Sequence, residues 1–152
     1  LIHQVKYRKA YVYASQLSAL LIRSLTIHRA PLTNQEITVV PVPLTRRRLR
    51  ERGFNQSELI AKNIAKHFSL PLNTELLSRT HQEAQHADLK THEERKRNIK
   101  NTILCKAPED VKKKTIVLID DVYTSGATME ECALVLKNAG AKDIWGMVIA
   151  KG

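Results

Sequence analysis

Apolar residues along this chain fall in short bursts at two different spacings. Tyr13, Leu17, Leu20, Leu21 and Leu25 recur at helical intervals, which predicts an amphipathic helix with that set on its core face. Ile37 to Val42 is a β-branched run ending in Pro41-Val-Pro43, a buried strand that empties into a loop. Arg46 to Gly53 follows as a basic loop. Asn55 with Glu58 three residues on resembles a helix cap, and Leu59, Ile60, Ile64 and Phe68 supply the stripe of a second helix that stops near Pro71. A second buried strand is predicted over Ile116 to Ile119 and a third over Ile144 to Ile149. Between them Met129, Cys132, Ala133 and Leu136 mark the core face of a helix closed by Gly140. Strand, helix and strand repeated in this way predict an α/β fold with a parallel sheet.

The stretch from Arg79 to Lys100 is different: polar, rich in His, Lys and Arg, and nearly free of core residues. It reads as a mobile flap over a cleft, with Thr91 and Glu94 able to cap a short exposed helix; the alternative is an inert solvated loop. Internal repeats are absent, and 152 residues fit a single domain over 1–152.

Composition changes this picture little. Apolar residues make up 43% and charged residues 26%, ordinary for a globular core. Lys6 to Lys9 followed by Ala10 to Ile22 has the outline of a signal peptide, but Ser15, Gln16 and Ser18 interrupt the run and no small-residue cleavage site follows. No stretch is long enough to span a bilayer, so membrane insertion is not expected. Cys105 and Cys132 lack CxxC spacing and the six histidines lack metal-ligand spacing, which suits reduced thiols in a cytoplasmic protein and solvated imidazoles. The net charge of +10 favours a polyanionic partner, whether nucleotide, pyrophosphate or nucleic acid.

Chemistry concentrates at Ile116-Val-Leu-Ile-Asp-Asp-Val-Tyr-Thr-Ser-Gly-Ala-Thr128. Two carboxylates stand at the carboxyl end of a strand, the edge where open parallel sheets bind ligands. The Thr/Ser/Gly turn offers backbone N–H groups, three hydroxyls and a helix start, which suit a phosphate dianion, and Gly126 permits close approach. Adjacent acids beside a phosphate loop repel the ligand unless they bind hydroxyls or a metal complex. The simpler alternative is an acidic strand end whose Thr and Ser merely cap a helix.

This run resembles the motif of type I phosphoribosyltransferases that binds 5-phosphoribosyl-1-pyrophosphate (PRPP). The resemblance implies a parallel-sheet type I phosphoribosyltransferase fold with a flexible flap, or hood. It makes Asp120 and Asp121 the catalytic pair that holds the ribose hydroxyls, with Mg²⁺ carried on PRPP beside them, and wraps Tyr123, Thr124, Ser125, Gly126, Ala127 and Thr128 around the 5-phosphate. A second run, Pro41-Val-Pro-Leu, then arginines, then Arg52-Gly-Phe-Asn-Gln56, resembles the ComF (competence protein F, GntX-like) family, as do Arg79, Gln85, Leu89, Arg95 and Asn98 in the flap. In such folds the loop after the first strand binds pyrophosphate, which nominates Leu44, Thr45, Arg46 and Arg47; arginine's planar fork suits phosphate oxygens. A solubilising basic turn, and a turn with a helix cap at Gly53-Phe-Asn55, are the plainer readings.

Two departures qualify the match. Relatives that process 6-oxopurines carry an acid where this chain has Thr124, so the site is closer to the orotate type. The four-cysteine zinc ribbon with which ComF-like proteins commonly begin is missing, as in a truncated or short relative. Two functions stay open: a phosphoribosyltransferase that displaces pyrophosphate at ribose C1, with no identifiable general base, or a non-catalytic module binding PRPP or nucleotide and single-stranded DNA. The family resemblance implies a link to DNA uptake in natural competence, with a competence helicase as partner; it leaves room for a homo-oligomer. A response-regulator receiver with Lys151 as its lysine is a third reading, disfavoured because its acid pair lies early in the domain.

Overall fold

The computed structural model describes residues 2–27, 36–80 and 100–151, with side chains for 12–26, 36–80 and 100–151. In chain order the elements are α1 (Ile2–Ile27), β1 (Ile37–Pro41), α2 (Arg46–Arg52), α3 (Gln56–Phe68), β2 (Leu77–Arg79), β3 (Ile103–Cys105), a 3-10 turn (Pro108–Asp110), β4 (Thr115–Tyr123), α4 (Ala127–Asn138) and β5 (Asp143–Lys151). The strands β1, β4 and β5 form a parallel sheet with β4 in the centre, as the alternation of strand and helix predicts.

The continuous apolar runs follow from burial on both sheet faces. Along β4, Ile116 and Leu118 join the core formed with Met129, Cys132 and Leu136 of α4. Val117 and Ile119 point the other way, into the core formed with Leu59, Ile60 and Ile64 of α3 and Ala14 of α1. Helix α3 ends at Phe68, where Ser69 takes a left-handed cap conformation (φ 53°), just short of Pro71. The short antiparallel pair of β2 and β3, not expected from the sequence, buries Leu77 and Ile103 against the α4 side.

Three expectations are corrected. Tyr13 and Leu20 do not face the core: they are 61% and 63% exposed. The inward face of α1 instead carries Ala14 and Ser18, one turn apart and both buried. The Ser18 hydroxyl donates to the Ala14 carbonyl at 2.6 Å and accepts from Asn63 Nδ2 of α3 at 3.1 Å. Small residues let the two helices approach, and a satisfied hydroxyl tolerates the burial.

The basic loop is a helix from its first arginine, because Thr45 caps it, its side chain accepting from Arg48 N–H at 3.3 Å, and Gly53 closes it at φ 81°. Strand β4 runs four residues past Ile119, so Asp120, Asp121 and Tyr123 are strand residues. Residues 81–99, which include Gln85, Arg95 and Asn98 of the expected flap, lie outside the described residues. Arg79 and Lys100 are within them, and Thr80 N–H donates to the Thr102 carbonyl at 2.8 Å where the stretch leaves and rejoins the fold.

Candidate functional site

Parallel pairing brings the exits of β1 and β4 to one edge of the sheet. Pro41 stands opposite Ile119, and Val42 N–H donates to the Ile119 carbonyl at 2.9 Å. The chain leaving β1 toward Leu44 and Thr45 is therefore a direct neighbour of Asp120, although 75 positions separate Thr45 from Asp120. Arg46 and Arg47 follow as the first turn of α2. This helix buries none of its residues; its caps and local pairs hold it. Arg47 Nε donates to Glu51 Oε1 at 2.8 Å across an exposed turn, where solvent screening keeps such a pair weak.

After β4 the chain turns through Thr124, Ser125 and Gly126 into α4. Gly126 adopts φ 74° as the helix N-cap, a conformation that side chains rarely tolerate. A second constraint acts at the same atom: a Cβ there would stand 2.1 Å from the Tyr123 hydroxyl oxygen. Tyr123, expected as a ligand-facing loop residue, is thus the last residue of β4, its ring against the loop glycine and packed on the core. Ser125 Oγ accepts from Ala127 N–H at 3.5 Å, Thr124 is exposed and Thr128 half-buried. As cap, Gly126 brings no side-chain oxygen of its own, and beyond the long contact of Ala127 N–H with Ser125 the first amides of α4 suit an anion.

The two carboxylates differ. Asp121 Oδ1 accepts from Val122 N–H at 2.8 Å. Asp120 is half-buried, and its Oδ1 accepts from Ser57 Oγ at 2.8 Å and from Asp121 N–H at 2.9 Å. Burial pushes its carboxyl up to about 6, against the pull of those two hydrogen bonds and aided by the Asp121 charge. Asp120 thus stands at the strand end half-buried and hydrogen-bonded rather than freely solvated. Burial also pushes the Cys132 thiol up to about 12, raised further by Asp120 and lowered by Arg79, so this cysteine acts as a core residue.

Ser57 is the neighbour that the sequence did not reveal. It lies 63 positions before Asp120, with no signal beyond its place behind the Asn55 cap. In contrast, Lys112, Lys113 and Lys114 precede β4, at the far end of the nine-residue strand, roughly 26 Å from its exit. Among the described residues no group of three or more His, Cys, Asp or Glu could hold a metal ion, and no helix is long and apolar enough to cross a membrane.

Comparison with known proteins adds family context. Residues 55–151 match the family model described as a phosphoribosyl transferase domain. The chain is 36% identical over 149 residues to the "DNA utilization protein YhgH" of Escherichia coli (strain K12), covering 95% of this chain and 64% of that protein. It is 27% identical over 156 residues to "Competence protein F" of Haemophilus influenzae, covering 99% of this chain and 67% of the relative. With "Competence protein ComFC" of Bacillus subtilis it shares 33% identity over 107 residues, 70% of this chain and 41% of the relative. The chain thus spans about two thirds or less of the length of these relatives.

Proposed function

Because the chain belongs to the phosphoribosyl transferase domain family, in its ComF branch, we propose that it binds PRPP at the shared exit of β1 and β4 and displaces pyrophosphate from ribose C1. In this reading Asp120 and Asp121 take the ribose hydroxyls, Thr124 to Thr128 hold the 5-phosphate, and Leu44 to Arg47 hold the pyrophosphate. Its main support is the juxtaposition of three features: an acid pair on β4, a glycine-opened turn before α4, and the β1 exit hydrogen-bonded to Ile119 beside Asp120.

The donor set fits Mg²⁺ carried on the ligand. Two hard carboxylates are adjacent, no larger cluster of metal ligands exists among the described residues, and Mg²⁺ commonly uses one or two carboxylates plus substrate phosphates. When bound it would neutralise charge on the pyrophosphate. The chain's own residues do the rest: Arg46 and Arg47 offer bidentate donors to the departing phosphates, and the acid pair fixes the sugar so that C1 meets its nucleophile. Incubation with PRPP, Mg²⁺ and a panel of bases, with pyrophosphate release as readout, tests the reading. Release with one base is expected; tight PRPP binding without release would favour a non-catalytic module.

That second reading, a module for nucleotide and single-stranded DNA serving DNA uptake with a competence helicase, is favoured by α2. Five of its seven residues are exposed arginines, and relatives carry names referring to DNA utilization and competence. With Arg47 tied to Glu51, helical spacing puts Arg46 and Arg50 on one face of α2 and Arg48 and Arg52 on the other, so two arginines face a strand, which predicts a slope of log affinity against log salt of about −1.4. Arg46→Ala with Arg47→Ala should weaken binding and flatten that slope, and PRPP should compete. Replacement of Lys112 to Lys114 by alanine should leave it unchanged, since those lysines lie at the opposite end of the sheet. Fluorescence anisotropy of a labelled oligonucleotide at several salt concentrations checks this; equal loss in both variants would remove α2 as the strand's path.

A further inference from the structure

The segment Gly53-Phe-Asn-Gln-Ser57 has no task in the reading above, yet two of its side chains reach the candidate site. Ser57 is buried, and its hydroxyl donates to Asp120 Oδ1 at 2.8 Å. Asn55, the cap of α3, accepts the Ser57 N–H at Oδ1 (3.1 Å) and donates from Nδ2 to the Val42 carbonyl at 3.0 Å. Val42 N–H in turn meets the carbonyl of Ile119, the residue before Asp120. The hydrogen bonds close a ring through the exit of β1, the start of α3 and the acid on β4.

From this ring we infer that Ser57 is a positioning residue for Asp120, held in place by Asn55, and that it sets the preference of the site for a ribose diol. The inference rests on the proposal that Asp120 receives a ribose hydroxyl. An aspartate carboxylate rotates in a broad, nearly two-fold well, so an unrestrained one offers no fixed acceptor. Ser57 Oγ and Asp121 N–H both donate to Oδ1. Oδ2 is therefore the oxygen that these two donors leave for a ligand hydroxyl, at an angle that Ser57 fixes and beside the Asp121 side chain, which also interacts with the Asp120 carboxyl. Asn55 carries the same restraint to Val42, where the chain sets out toward Leu44 and Thr45.

The test is discrimination among phosphosugars. Calorimetry compares ribose 5-phosphate with its 2-deoxy and 3-deoxy counterparts, one of which lacks the hydroxyl that Asp120 takes, and uses inorganic phosphate as a probe of the loop alone. In Ser57→Ala, and in Ser57→Cys, which keeps the volume but donates poorly, the preference for ribose 5-phosphate should shrink about three- to tenfold, the worth of one oriented hydrogen bond. Phosphate affinity and circular dichroism should hold. A general loosening of the fold weakens all four ligands together and leaves the ratio alone. Retained preference in both folded variants overturns the role of Ser57 and leaves the site reading intact. A parent protein that binds the phosphosugars without preference overturns the ribose role of Asp120 and this inference with it. Two variants that fail to fold make Ser57 a structural residue and overturn the inference as well.

Discussion

Gly126→Val is expected to lower affinity for ribose 5-phosphate and PRPP by roughly a hundredfold or more, equivalent to about 2.7 kcal/mol or above. Two independent constraints meet at this position. The backbone sits at φ 74°, where a β-branched residue is a rare outlier, and left-handed geometry costs an ordinary residue about 1–2 kcal/mol. The added Cβ would also fall 2.1 Å from the Tyr123 hydroxyl oxygen. The ring packs, partly buried, against the core that contains Met129 and Leu136, so either it gives up that packing or the turn moves. Gly126→Ala paired with Tyr123→Ala should recover part of the affinity lost in Gly126→Ala alone, because it removes the collision and keeps only the dihedral cost. Calorimetry with ribose 5-phosphate decides the matter. Parental affinity in Gly126→Val would show that the turn does not hold the phosphate.

Replacing both acids, Asp120→Asn with Asp121→Asn, should abolish PRPP binding while the protein becomes more stable at neutral pH. The gain comes from Asp120. Its carboxyl is raised from 3.8 to about 6, chiefly by burial, so the folded state holds the proton more tightly than the unfolded chain. The stabilising contribution is fully present below pH 3.8, declines as pH rises, and is gone above about 6, where a partly buried charge remains. Asparagine does not ionise, and its Oδ1 can still accept from Ser57 and from the Asp121 position. In metal-free buffer at pH 7.5 the single Asp120→Asn variant should gain roughly 2–3 kcal/mol, a rise in melting temperature of about 4–12 °C. At pH 3.5 the difference should nearly vanish. Unchanged PRPP affinity with normal circular dichroism would overturn the assignment of the acids, and equal stability at both pH values would overturn the account of Asp120.

Stabilisation by removal of an acid separates residues kept for a ligand from residues kept for the fold. Ile60, Ile64, Ile116 and Leu118 are fully buried and serve the fold; Asp120 is expected to lower stability at neutral pH, in the place where three chain segments converge. Burial without full neutralisation is a cost that a binding role would explain.

Much of the architecture was legible in the sequence because its signals are local. Ile116 to Ile119 is apolar on every residue and Ile37 to Val42 on all but Thr38, and only a strand covered on both faces needs that. The acids, the turn and Gly126 are contiguous, so their order along a strand, a turn and a helix start follows from short-range rules. The helix from Arg46 to Arg52 also had local signals, the cap at Thr45 and the glycine at position 53, outweighed by the expectation that clustered arginines stay in a loop.

Long-range packing decided the remainder. Tyr13 and Leu20 match a helical stripe as well as Ala14 and Ser18 do; which face turns inward depends on how closely α3 can approach, and small residues won. Ser57 and Asp120 meet across 63 positions, and Val42 meets Ile119 across the parallel pairing. No spacing rule connects such residues. The acid pair was therefore visible in one dimension, but the hydrogen bonds that orient Asp120, and the burial that raises its pKa, exist only once the exits of β1 and β4 and the start of α3 are brought to one edge of the sheet.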